Sequence, residues 1–385
     1  MIRVGNPTGL RAQGVVTAAF QPIFDLRDGA VVGYEALARP VDGTSPEEFF
    51  ATARAEGRLT QVDRECRAEA LRAAAEADLG APFALFLNAD AGALELDLPD
   101  LPRGGATLVM EITETALTER PEAVLRTLTE LRTRGWGVSL DDVGADSRSL
   151  AVMPLLYPDV IKLDLRLLAE RDPIDMARIV TAVGAEAERR HATVLAEGID
   201  SDSQLEMARA AGATLGQGFM LGEPGPLPDP LPKPGRPLRL GGSGGDPSGP
   251  VPFQRVTNWK RPTRGPLVLA ERAASLMSAQ ASALGPTGML LAAPDSSHSS
   301  ERYEALRDSL GFVGVLEPGI LEDTWTEVAL GPGYGACFVA RLERSGDEPA
   351  GRGEWCFATS YDRELVVECA LLLMARLPQS PPPRQ

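Results

Sequence analysis

The run Trp136-Gly137-Val138-Ser139-Leu140-Asp141-Asp142 reads as a short buried strand that delivers two adjacent carboxylates, with Gly144 beyond them to let the chain turn. Neighbouring anions repel, and removing both from water is costly unless a cation holds them or one keeps its proton. The pair points to a cation site at a strand end; the plainer alternative is that one Asp caps the next helix while the other faces water. Composition nominates two more residues. Basic side chains are nearly all arginine, with only Lys162, Lys233 and Lys260 as lysines, and the only asparagines are Asn6, Asn88 and Asn258. In a chain biased toward Ala, Arg, Gly and Pro, Lys162 and Asn88 stand out.

The elements that must position these residues are legible in order. Residues 18 to 26 read as a strand, Arg27-Asp28-Gly29 as a hairpin turn, and 30 to 38 as the antiparallel partner. Ser45-Pro46-Glu47-Glu48 combines a cap, a proline at the first helical position and acids in the first turn, so a helix starts there; a second spans 60 to 77. Short β-type runs at 83–87, 107–110, 138–140, 160–163, 193–196 and 214–217 then alternate with helical segments near 121–134, 148–156, 172–190 and 203–211. With the hairpin this predicts eight strands, an α/β fold closed as a TIM-like (β/α)8 barrel with an antiparallel opening pair. The rival is an open doubly wound sheet, but no glycine-rich phosphate loop follows the first strand.

Polar residues fall at the ends of these strands: Glu35 on the second, Asn88 on the third, Glu111 on the fourth with Glu114 following, Asp141 and Asp142 on the fifth, Lys162 and Asp164 on the sixth, Glu197 on the seventh and Gln217 on the eighth. In a barrel, the carboxyl ends of parallel strands converge on one rim. So many converging anions need a shared cation. Oxygen ligands with an amide, without His or Cys, suit Mg²⁺ or Mn²⁺. The acids suffice for two ions bridged by Asp141, an arrangement which, with ions about 4 Å apart, serves in-line phosphodiester cleavage. Lys162 then orients water or meets developing charge, and Glu197 acts as ligand or proton acceptor. The structural alternative for those two is an ion pair closing the rim. A rival chemistry on the same rim is proton abstraction next to a carboxylate by a lysine base, though an adjacent Asp pair fits two metals better.

The formal charge of -16 argues against a sequence-blind binder of nucleic acid polymers, which hold phosphates with clustered Lys and Arg. Residues 1–13 lack the apolar core of a secretory signal, and no run approaches the length of a membrane span, which gives an expectation of a cytoplasmic protein. Cys66, Cys337, Cys356 and Cys369 show no CxxC or Cys/His spacing and are expected as buried free thiols. His191 and His298 are expected at the surface, which removes the usual general base.

Glu35-Ala36-Leu37-Ala38-Arg39 resembles the signature of EAL domains, phosphodiesterases that cut cyclic di-GMP to the linear dinucleotide pGpG with two Mg²⁺ or Mn²⁺ ions. The resemblance extends, in order and at family-like spacing, through Phe20-Gln21-Pro22-Ile23, Asn88, Glu111-Ile112-Thr113-Glu114, Asp141-Asp142-Val143-Gly144, Ile161-Lys162-Leu163-Asp164, Glu197-Gly198-Ile199-Asp200 and Gln217-Gly218, over residues 15–225. It implies that Glu35, Asn88, Glu111 and Asp141 hold one ion and that Asp141 and Asp142 hold the second, with Glu197 nearby. By the same resemblance Lys162 positions water, and Glu35, Lys162 and Glu197 form the catalytic group. Gln21, Leu37, Arg39, Asp164 and Gln217 contact substrate, with Arg39 meeting a phosphate; Glu114 and Asp200 support the site from behind. The chain departs from the family at Val143-Gly144-Ala145-Asp146-Ser147-Arg148-Ser149, where active members carry an aromatic after the Asp pair. That loop supports the second metal and the homodimer contact in the family, so the departure bears on both, and an aromatic restored at 143 is expected to raise the rate if the loop is limiting. A silent cyclic-di-GMP receptor is the alternative.

The final barrel helix looks curtailed after Gly222. Residues 226–252, rich in Pro and Gly with Gly241-Gly242-Ser243-Gly244-Gly245 at their centre, are expected to form a linker to a second, smaller α/β unit at 253–378. That unit has helical segments near 267–284, 299–310 and 363–376, β-type runs at 288–292, 336–342 and 355–358, and a core expected to hold Trp259, Trp325 and Trp355. Its strings Val256-Thr257-Asn258-Trp259-Lys260-Arg261-Pro262 and Gly353-Glu354-Trp355-Cys356-Phe357 resemble DICT domains, sensory modules of unknown ligand found beside cyclic-di-GMP enzymes. Lys260, Arg261 and Arg264 read as a solvated charge run. Residues 1–14 and 379–385 are expected to be disordered.

Overall fold

In a computed structural model, described for residues 15–90, 104–143, 149–241, 249–295, 301–321, 323–343 and 354–377, eight strands close a barrel in sequence order. They are β1 (Val16–Asp25), β2 (Val31–Pro40), β3 (Ala84–Asn88), β4 (Thr107–Thr113), β5 (Gly137–Val143), β6 (Val160–Asp164), β7 (Thr193–Glu197) and β8 (Leu215–Gly216). β1 runs antiparallel to both β2 and β8, and the remaining pairs are parallel. The hairpin turn forms where expected: Gly29 takes a left-handed φ of 71° and its N–H donates to Asp25 O at 2.8 Å.

Around the barrel lie α1 (Pro46–Ala55), α2 (Leu59–Glu76), α3 (Glu114–Glu119), α4 (Pro121–Thr133), α5 (Ser149–Leu156), α6 (Leu165–Ala169), α7 (Pro173–Arg190) and α8 (Asp202–Ala210). Ser45 caps α1, accepting from Glu48 N at 3.2 Å. Because side chains alternate along a strand, residues two apart share the barrel interior. An apolar layer of Phe86, Val109, Val160, Leu195 and Leu215 therefore lies directly beneath Asn88, Glu111, Lys162, Glu197 and Gln217.

The segment expected as a linker is, over 226–241, laid along the barrel. Gly235 N donates to Val31 O at 2.8 Å, Leu238 packs against the apolar layer, and Gly241 N donates to the buried Asp159 carboxylate, which Arg132 also holds. Leu240 sits so close to Gly137 that a Cβ there would lie 2.6 Å from Leu240 Cδ2. Leucines spaced among prolines gave this stretch apolar anchors that its Pro/Gly composition masked. Residues 1–14, 242–248 and 378–385 lie outside the described residues.

Beyond it, α9 (Pro252–Trp259), β9 (Thr263–Gly265), α10 (Leu267–Ser282), β10 (Met289–Ala293), α11 (Glu301–Glu304), β11 (Phe312–Val315), β12 (Thr324–Gly331), β13 (Tyr334–Glu343), β14 (Glu354–Ser360) and α12 (Arg363–Met374) build a six-stranded sheet of order β11-β10-β12-β13-β14-β9. One face packs Trp325, Phe338 and Trp355 against α10 and Tyr303. The other face packs against α12, in a core continuous with that of the barrel. Trp259 does not join either face: it ends α9 and is 85% exposed. The helix expected near 299–310 is only the short α11 within the described residues. β9, β11, β12 and α9 fall outside the expected runs; in β12 Thr324, Thr326 and Glu327 interrupt the apolar pattern although all three are buried.

Candidate active site

Two adjacent residues on a regular strand point to opposite faces, so Asp141 and Asp142 need a local irregularity to share the rim. β5 supplies it. The register against β6 runs Ser139↔Val160, Leu140↔Ile161 and then Val143↔Leu163, leaving both acids opposite Lys162 in a β-bulge. Asp142 takes the left-handed φ of 57° that Asp and Asn tolerate best among residues with a side chain.

Lys162 projects from β6 into the barrel mouth, where its Nζ lies 2.6 Å from Glu197 Oε1, 2.7 Å from Glu111 Oε1, 3.0 Å from Asp141 Oδ1 and 3.6 Å from Glu35 Oε1. Glu35 also receives Gln217 Nε2 at 2.7 Å and Asn88 Nδ2 at 3.2 Å. Gln217 Nε2 donates to Gln21 Oε1 at 2.8 Å. Gln21 reaches the rim although β1 runs the other way, because it pairs directly with Glu35 across the hairpin.

An ammonium has three N–H groups, so it cannot serve four carboxylates. Both oxygens of Glu111, Oδ1 of Asp141 and Oε1 of Glu197 are buried without a directed hydrogen bond. The proton balance follows. Burial and then the charge of Glu35 push Glu111 well above the carboxylate range, and burial, partly offset by Lys162, pushes Glu197 up to about 8. Burial also acts to raise Glu35, but Lys162 with Gln217 and Asn88 brings it below its ordinary value. Loss of solvent and the charge of Asp141 raise Asp142. Burial works against the charge on Lys162, yet Asp141 and Glu111 outweigh it and hold the ammonium well above its usual pKa.

Among the described residues no group of three or more His, Cys, Asp and Glu side chains surrounds a point arranged for a metal ion. The centre of the carboxylates is taken by the ammonium. The donor set nonetheless fits a hard cation: it is oxygen-rich, lacks His and Cys, and gathers four carboxylates around a single ammonium that cannot satisfy them all.

Beside the carboxylates opens a cavity of about 730 Å³ whose wall includes Leu37, Arg39, Asn88, Asp141 and Asp142. Arg39 Nη1 donates to Ala38 O at 2.9 Å. Two further expected site residues hold backbone. Asp164 Oδ1 caps α6, accepting from Arg166 N at 2.7 Å, and its carboxylate pairs with Arg166, because a short acid at a strand-to-helix junction meets free N–H groups first. Asp200 accepts from Phe219 N at 2.9 Å and holds the turn after β8. The Glu114 side chain and the loop at 144–148 lie outside the described residues.

The same cavity wall includes Asp63 and Arg67 of α2, which motif reading passed over. The signal was present: the buried face of α2 is Leu59, Val62, Asp63, Arg67, Ala70 and Ala74, so a charged pair four residues apart interrupts an apolar stripe.

The family model described as the EAL domain matches residues 8–224. The protein named cyclic di-GMP phosphodiesterase NbdA, from Pseudomonas aeruginosa, is 32% identical over 225 residues, covering 54% of this chain and 29% of that protein. The uncharacterized EAL-domain containing protein YkuI of Bacillus subtilis is 30% identical over 221 residues, covering 53% of this chain and 54% of that protein. Among solved structures, the manganese and cyclic-di-GMP complex of BlrP1 from Klebsiella pneumoniae aligns at 28% identity with a TM-score of 0.48, covering 57% of this chain and 58% of that one. The chain spans less than two thirds of the length of each of these relatives.

Proposed function

The chain belongs to the EAL-domain family, and from that premise we propose that its barrel hydrolyses one phosphodiester bond of cyclic di-GMP to give linear pGpG, with Mg²⁺ or Mn²⁺ held at the rim. The observation that carries this reading is the convergence of Glu35, Glu111, Asp141 and Glu197 on one buried point at the barrel mouth, next to a cavity large enough for a dinucleotide. Glu35, Asn88, Glu111 and Asp141 would hold one ion, and Asp141 with Asp142 a second. Such ions supply Lewis acidity toward a phosphodiester oxygen and acidify water.

The chain's own groups do the rest. Lys162, released from the carboxylates once other positive charge replaces it, orients a water or meets negative charge on the phosphate. Glu197 is then ionised and within reach to accept a proton. Gln21 and Gln217 fix the orientation of Glu35, while Arg39 at the cavity wall offers a guanidinium fork to a phosphate.

The carboxyl-terminal sheet unit is proposed as the controlling, sensory part. Support comes from α5, which starts shortly after the acid pair and is apolar and buried along its whole length from Leu150 to Leu156. Both α12 and β12 of the second unit pack on it. A second reading, a receptor without turnover, is favoured by the ammonium at the centre of the carboxylates and by Val143 where active members carry an aromatic.

Chromatography of cyclic di-GMP after incubation with the full chain, with Mg²⁺, Mn²⁺ or chelator, tests both. Metal-dependent appearance of pGpG is the expected result. Intact nucleotide that still binds selects the receptor, and neither binding nor cleavage overturns the proposal.

A further inference from the structure

Asp63 and Arg67 are 4% and 6% exposed, and Arg67 Nη1 donates to Asp63 Oδ2. Asp63 Oδ1 accepts from Asp90 N at 3.3 Å. Arg67 Nη2 is buried and has no partner. A buried ion pair adds little to stability compared with apolar residues of the same volume, and an unpaired buried N–H detracts from it. The tie to Asp90 accounts for Asp63, but packing alone gives α2 no reason to carry Arg67 with an unpaired N–H group. Both belong to the wall of the cavity that also meets Asn88, Asp141 and Asp142, so a ligand anchored on them reaches the carboxylate rim within one continuous space. Phe50 and Leu87 add apolar surface to the same wall.

We infer that this part of α2 reads the guanine base of the bound dinucleotide: Arg67 Nη2 donates to the base carbonyl O6, and the Asp63 carboxylate accepts from the adjacent N1–H and N2–H groups. The inference rests on the cyclic-di-GMP reading of the site and adds to it the residues that choose the base. Guanine presents one acceptor followed by two donors along that edge, which matches a guanidinium beside a carboxylate. Adenine presents a donor followed by an acceptor, so in the same seating its N6–H2 group faces the guanidinium and its N1 faces the carboxylate, and neither pairs. Removing a charged donor from a buried hydrogen bond weakens binding roughly ten- to hundredfold.

The test is equilibrium binding of cyclic di-GMP and cyclic di-AMP to the full chain in chelator, where neither is consumed. The wild-type chain should prefer cyclic di-GMP, and Arg67→Met should lose about ten- to hundredfold in affinity for it while changing little toward cyclic di-AMP. The double variant Asp63→Asn/Arg67→Gln keeps the volume without burying charge and guards against a folding defect; with a wild-type melting midpoint it should show the same selective loss. Unchanged cyclic-di-GMP binding in both variants overturns the inference and leaves the proposed function standing. An equal loss for both dinucleotides also overturns it, since removal of a positive charge near phosphates has that effect. A wild-type chain that binds neither dinucleotide in chelator overturns this inference, since the base contacts need no metal, and overturns the proposed function as well only if no pGpG forms with Mg²⁺ or Mn²⁺.

Discussion

Lys162 and Glu197 show how one buried cation sets the protonation of the whole rim. Glu197 stands at about 8 in the folded chain against an ordinary 4.5. Between those values the folded state keeps a proton that the unfolded state has released, so this group's contribution to stability falls as pH rises from 4.5 toward 8. Added divalent cation should displace that shared proton. Calorimetric titration of Mn²⁺ at pH 7 in buffers of different ionisation enthalpy is expected to show proton release, reduced in Glu197→Gln; heats independent of buffer would contradict this. Replacing Lys162 by Met removes the counter-ion of four acids. A loss of about 3–5 kcal/mol is expected for the metal-free chain at pH 8, much of it recovered at pH 5 where the acids take up protons, as read by urea denaturation.

Element by element, the bulge in β5 is what brings two adjacent acids of the sequence together at the rim. Its backbone and charge roles separate by substitution at Asp142. A β-branched residue in the left-handed region is strained, so Asp142→Val should lower stability by about 1–2 kcal/mol, whereas Asp142→Asn keeps the turn, relieves repulsion from Asp141 and should be neutral or slightly stabilising. Thermal midpoints of the two variants decide it; equal losses would mean that charge, not conformation, matters. The next residue revises the expectation for an aromatic at 143. Val143 is fully buried, and overfilling a closed space costs about 1–3 kcal/mol, so the aliphatic residue there is matched to the packing of this chain.

At the scale of the molecule, barrel and sheet share a core. Leu365–Met374 of α12 is buried at nine positions, and Arg363 and Glu364 at its start meet Glu186 and Arg190 of α7. Arg190 in turn lies over the Tyr157 ring at 4.0 Å. A shared core of this kind should unfold as a unit. Calorimetry of the full chain is expected to give one transition whose calorimetric and van't Hoff enthalpies agree, and Glu186→Gln should lower that single transition without splitting it. Two resolved transitions would mean that the units are energetically independent, which would weaken the case for control of the barrel through α5.

What the sequence determined by itself was local and periodic: the hairpin at Arg27-Asp28-Gly29, the cap at Ser45, and the alternation that turned Glu35, Asn88, Glu111, Lys162 and Glu197 to one side of their strands, although Glu35 lies in the middle of β2 and not at its end. Such features depend on neighbours within a few residues, and strand alternation carries them directly to the rim. Only the tertiary structure decided that Lys162 fills the centre of the acids, that Asp164 caps a helix, that 226–241 straps the barrel and that Trp259 faces solvent. It also decided that Asp63 and Arg67, more than twenty residues from the nearest motif, line the same cavity. Each of these depends on which distant surfaces compete for the same side chain, and that competition is settled by packing and desolvation once the barrel has closed.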